Sequence, residues 1–122
     1  MTFARSLTPP YYAVVFTNRL ADDAGYAETA AAMGERALKH PGCLGHESAR
    51  DDRGFGITVS YWRDEAAILS WKADVEHRAA MAEGIDRFYE HYELRVAKVE
   101  RAYSGPHGRS IENRGAEAWD MR

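Results

Sequence analysis

The sequence predicts an α+β fold, with four strands and two helices in the order strand–helix–strand–strand–helix–strand. Three observations carry that prediction. Residues 55–62, Phe-Gly-Ile-Thr-Val-Ser-Tyr-Trp, alternate between two faces and are rich in β-branched and aromatic side chains, as a strand requires. The period then changes, because Ile68, Trp71, Lys72 and Val75 recur at helical spacing behind Asp64, which stands where an N-cap would. Between two strand-like runs, Asp51-Asp52-Arg53-Gly54 reads as a tight turn, with Gly54 supplying the positive φ that hairpins favour.

The other elements follow in chain order. Residues 1–10 read as a loose arm ending in Pro9-Pro10. Tyr11 to Leu20 is the first strand: Tyr12, Val14, Phe16 and Asn18 share one face, and Ala13, Val15, Thr17 and Arg19 the other. Both faces are apolar over the first half, which suits a central strand. Asn18 is the odd member of its row. Either it ends the strand by bonding nearby backbone, the reading that spacing alone favours, or it points a hydrogen-bonding group into a cavity. Asp22-Asp23 starts a helix over residues 24–40, with Tyr26, Ala30, Met33 and Ala37 as its apolar stripe. Lys39 and His40 suit its carbonyl end, and Pro41-Gly42 stops it.

Cys43 to Arg50 is the second strand, with Leu44 inward in one register, and the hairpin through residues 51–54 leads to the third. A second helical region spans Asp64 to His91. Gly84 is its weak point, since Gly within a helix costs roughly 1 kcal/mol against Ala. Ile85, Phe88, Tyr89 and Tyr92 continue at helical spacing. Leu94 to Tyr103 is the fourth strand, and its interleaved Arg95, Lys98, Glu100 and Arg101 suit an edge or a solvated face. Residues 11–104 thus make one domain, and 105–122 a tail whose one large apolar side chain is Trp119. The element order is the split βαβ, or ferredoxin-like, arrangement. One sheet face takes both helices, and the other must be covered to bury its apolar residues.

A chain of 122 residues is one domain with a modest core, which pairing with a second copy would help to stabilise. Net charge of −3 and a pI near 5.9 argue against a nucleic-acid partner. No apolar run approaches membrane-spanning length and no secretory signal is read, so the expected compartment is the cytoplasm. Cys43 stands alone, which precludes an intrachain disulfide or a thiolate cluster; it reads as a small buried apolar residue. The histidines, at 40, 46, 77, 91 and 107, lack metal-ligand spacing, so no metal is expected.

Tyr12-Ala-Val-Val-Phe-Thr-Asn-Arg-Leu20, Pro41-Gly-Cys-Leu-Gly45, Gly56-Ile-Thr-Val-Ser-Tyr-Trp62, Trp71-Lys-Ala-Asp-Val-Glu-His77 and Arg95-Val-Ala-Lys-Val-Glu-Arg-Ala-Tyr103 resemble the antibiotic biosynthesis monooxygenase domain family, nearest its uncharacterised bacterial branch. The resemblance covers about residues 10–104. It implies a homodimer whose sheets pair into an α/β barrel, and a pocket between sheet and helices that binds a small aromatic or quinol-type metabolite. Some members oxygenate polycyclic phenols to quinones without metal or flavin; others bind and degrade haem, with an Asn ending the first strand, a Trp on the second helical segment and a His beyond it. Asn18 and Trp71 match the first two. The ligand His of those members would fall near Met81, farther along than His77.

The expected catalytic residues are therefore His77 as a base titrating near neutrality, Asn18 as a donor to a substrate oxygen, and Trp71 as a stacking or restricting ring. Phe16, Tyr61 and Met81 are the expected ligand-lining residues. No cofactor is expected; haem is the alternative, and a non-enzymatic ligand-binding domain is a third reading. Each residue has a competing structural role. His77 can pair with Glu76 or Glu83 on an exposed helix, Trp71 can be core, and Tyr61 and Trp62 must point to opposite sheet faces.

Overall fold

The computed structural model describes residues 3–4, 7–21, 24–81 and 88–106, and for residues 77–81 the backbone alone. Six elements follow one another: β1 (Tyr11–Leu20), α1 (Tyr26–Leu38), β2 (Cys43–Arg50), β3 (Phe55–Trp62), α2 (Glu65–Met81) and β4 (Tyr89–Val99). The strands form one antiparallel sheet in the order β2-β3-β1-β4. This is the expected βαββαβ architecture, with β1 inside the sheet and β4 at an edge.

The fourth strand begins earlier than helical spacing suggests. Residues 89–92, expected to continue the second helix, pair instead with β1, Tyr92 lying opposite Asn18 and Tyr89 opposite Leu20. Aromatic side chains fit a pleated surface well, and Tyr89 and Tyr92 both meet the Phe16 ring edge-on, at 5.3 and 5.5 Å between centroids. Packing across the sheet outweighs the apolar spacing along the chain. Gly84 and Ile85 lie outside the described residues, as do Asp22, Asp23 and Trp119. Leu44 is exposed rather than inward, because the β2–β3 register shifts between Cys43 and Gly45.

The turn and cap residues behave as their chemistry requires. Gly54 has φ 87° in the hairpin. Asp64 caps α2, its Oδ1 accepting the Ala67 N–H at 2.8 Å, and that bond holds the carboxyl below the usual aspartate range. Gly25, with φ 79°, precedes α1. Gly42 packs so closely on α2 that an added Cβ would overlap the Ala67 methyl.

Both helices cover the same sheet face. Trp62, wholly buried, packs there with Ala67 and Ile68 of α2 and with Tyr12, Val14, Cys43 and Trp71. The helices are tied to each other by Arg36, whose Nε donates to Asp74 at 2.7 Å. On the opposite face Tyr61 donates to Glu47 Oε1 at 2.7 Å, and the Ala4 N–H donates to Oε2 at 2.9 Å. The N-terminal arm, read as loose, is thus attached to the sheet at Ala4. No described helix is long and apolar enough to cross a membrane.

Candidate functional site

The alternation of β1 puts Tyr12, Val14, Phe16 and Asn18 on the helix side, and the register carries that side across to Gly56 of β3, Tyr92 of β4 and Arg50 of β2. Arg50, Gly56, Asn18 and Tyr92 therefore form one row across the sheet. Because Gly56 has no side chain, the Arg50 guanidinium lies over it; a Cβ there would come within 2.6–2.8 Å of guanidinium atoms. Arg50 Nη2 donates to Asn18 Oδ1 at 2.7 Å and to the Tyr26 hydroxyl at 2.8 Å, while Nη1 donates to the Gly54 carbonyl. The guanidinium also stands 4.9 Å from the Tyr26 ring centroid, a cation–π contact.

Asn18 is the one buried polar residue among the described residues, at 2% exposure. Its oxygen is held by Arg50, so its side-chain role is not the local backbone bond that spacing favoured. The amide orientation follows from chemistry: guanidinium only donates, so the atom facing it is the carbonyl oxygen. That turns Nδ2 the other way, where it is buried and has no partner among the described residues. An unmatched buried N–H costs on the order of 1–3 kcal/mol, so its persistence calls for a functional reason.

Beside the amide lies an aromatic wall. Phe16, Tyr89 and Tyr92 meet edge to face, and Tyr26 joins them through Tyr89 and Phe88. Farther along the same side of β4, Leu94 and Val96 are half exposed, at 50% and 52%, because the helices lie toward the other edge of the sheet. Together these side chains make an apolar strip along the helix side of β1 and β4, with the buried Asn18 amide at its end.

The expected site residues separate into groups. Asn18 and Phe16 are brought together. Trp71 shares their side of the sheet but stacks on Trp62, with centroids 6.0 Å apart and planes 28° apart, and both rings meet His40. That pair sits at the Tyr12 end of β1, six residues and about 20 Å along the strand from Asn18 at ~3.4 Å per residue. Tyr61 is on the opposite face, against Tyr11 and Glu47, and is not brought to Asn18. His77 and Met81 lie on the last part of α2, and their side chains fall outside the described residues. Cys43 is half-buried, and burial raises its pKa, the state of an inert thiol.

Sequence reasoning did not single out Arg50, Tyr26, Gly56, Tyr89 or Tyr92. A signal existed for Arg50: across a hairpin turned at residues 51–54, an arginine ending one strand faces a glycine beginning the next.

The Asn18 oxygen and the Tyr26 hydroxyl are both engaged by Arg50, so neither is free to bond a haem group, and the His77 and Met81 side chains lie outside the described residues. No group of three His, Cys, Asp or Glu placed to hold a metal ion occurs among the described residues.

Comparison with known proteins agrees with this architecture. The model of the antibiotic biosynthesis monooxygenase family matches residues 12–83. An uncharacterized protein of Bacillus subtilis, YqjZ, is 50% identical over 94 residues, covering 76% of this chain and 82% of that protein. The jasmonate monooxygenase of Pyricularia oryzae is 28% identical over all 122 residues, which span 43% of its length. Among solved structures, the cofactor-independent oxygenase SnoaB of Streptomyces nogalater superposes with a TM-score of 0.61 at 14% identity, covering 76% of this chain and 95% of that one, a likeness of fold.

Proposed function

The chain belongs to the antibiotic biosynthesis monooxygenase family, and from that premise we propose that it is a cofactor-independent oxygenase of a small aromatic or quinol-type metabolite, which lies in a trough between the sheet and the helices. The observation that carries this reading is the buried Asn18 N–H without a partner, at the end of a wall built from Phe16, Tyr89 and Tyr92. The wall takes the flat face or edge of a ring, and the amide donates to a ring oxygen. The names of two relatives, a jasmonate monooxygenase and a cofactor-independent oxygenase, support oxygen chemistry; fold alone does not.

The chemistry asks little of the protein beyond placement. Loss of the phenolic proton makes the ring an electron donor to dioxygen. One oxygen atom bonds to a ring carbon, the other leaves as water, and the ring becomes a quinone by losing its two hydrogens. Asn18 stabilises the charge on the phenolic oxygen by an aimed hydrogen bond in a water-poor site. His77 is the base of this proposal. Trp71, stacked on Trp62, closes the far end of the trough. A homodimer completes the protein by covering the helix-free face, where Phe55 and Ile57 remain exposed.

The test is oxygen consumption by purified protein supplied with a naphthalene quinol. The expected result is enzyme-dependent uptake above autoxidation, with kcat/KM at least about tenfold lower for Asn18→Ala, the size of a lost hydrogen bond to a charged group. Uptake equal to the protein-free rate across a panel of phenols and quinols contradicts the proposal.

A further inference from the structure

Arg50 is the charged group of the site, yet it approaches the trough only through Asn18 and Tyr26. We propose that Arg50 is a positioning residue that sets this site for a ligand presenting an anionic oxygen, a phenolate or enolate rather than its neutral acid. The inference rests on the reading of the site given above and names the form of ligand it takes.

Four observations carry it. The guanidinium bond to Oδ1 fixes the Asn18 amide with its buried N–H turned away from Arg50; a ligand atom meeting Nδ2 must therefore be an acceptor. The same bond places a full positive charge one amide away from that acceptor and polarises the N–H, as chained hydrogen bonds do in a low-dielectric setting. Tyr26 adds a second group of the same kind, because its oxygen accepts from Arg50 and leaves its own proton for a neighbour. Finally, no carboxylate forms a salt bridge with Arg50 among the described residues; the neighbouring Asp51, held low mainly by the Phe55 and Arg53 N–H bonds, feels Arg50 only as a minor, longer-range charge. Gly56 is what permits the arrangement, by leaving room for the guanidinium over the sheet.

An anion held beside a cation at this range binds with its conjugate acid made stronger, by about one pH unit or more. The test titrates 4-nitrophenol, whose phenolate absorbs visibly, in the presence of excess protein. The expected result is that the bound probe ionises about one unit or more below the free probe. Arg50→Gln is expected to abolish that shift. Gly56→Ala gives the same answer without altering charge: the added methyl meets the flexible end of Arg50, so the chain keeps its fold while the guanidinium is displaced from Asn18. Circular dichroism checks the fold of both variants, and the Gly56→Ala result stands alone if Arg50→Gln does not fold. A bound probe whose ionisation is unshifted, or a shift that survives Gly56→Ala, overturns the role of Arg50 and leaves the aromatic trough intact. Absence of any saturable binding of phenols overturns both.

Discussion

At the residue scale, side-chain partners are fixed by what each atom can donate or accept. Glu47 is a case away from the site. The Tyr61 hydroxyl and then the Ala4 N–H hold its carboxyl below the usual glutamate range, while burial and Glu47 together push the Tyr61 phenol up. A carboxyl whose folded-state pKa is depressed contributes stability that is fully present above its unfolded value, about 4.3, and lost as pH falls through the folded value. Urea midpoints of wild type and Glu47→Gln are therefore expected to differ by a constant amount from neutrality down to about pH 5 and to converge below about pH 4. A gap that stays constant to the lowest pH would show that Glu47 carries no linked proton.

At the element scale, the junction of β3 and α2 holds the core together. Trp62 is fully buried, bonds Ser60 Oγ through Nε1 at 2.8 Å, and supports Ala67, Ile68 and Trp71. Trp62→Ala is expected to cost about 3–5 kcal/mol by chemical denaturation, with a smaller loss for the half-buried Trp71. Gly42→Ala forces a methyl into the Ala67 side chain and is expected to cost about 1–3 kcal/mol; an unchanged unfolding midpoint would refute the close approach of that loop to α2. Periodicity revealed β1, β2 and β3 with their ends because each strand is bounded by a turn or a proline. It failed at β4, because Phe88, Tyr89 and Tyr92 satisfy helical spacing while their partners, Phe16 and Tyr26, lie far away in sequence. The same blindness hid Arg50. Asn18 stands out as a polar residue in an apolar row, but the cation that orients it arrives from another strand.

At the scale of the whole molecule, the sheet has two unlike faces. The helix side bears the aromatic strip and the buried Asn18 amide. The other carries Tyr11, Val15, Val59 and Tyr61, with Phe55 and Ile57 more than a third exposed. Pairing with a second copy would bury them, as two sheets packing face to face do. Light scattering at micromolar concentration is expected to give the mass of a dimer, and Ile57→Lys to shift it toward the monomer, since a buried charge without a partner is strongly disfavoured. A wild-type monomer would contradict the barrel.

If the Asn18 N–H meets the ligand, the side-chain amide signal of that residue reports it. In a nitrogen–proton correlation spectrum the Asn18 pair is identified by its loss in Asn18→Asp, and the protein is titrated with 1-naphthol. The expected result is a saturable displacement of that pair, with smaller shifts for amides at the Trp62 end of the sheet. An Asn18 signal that stays in place while 1-naphthol binds would contradict it.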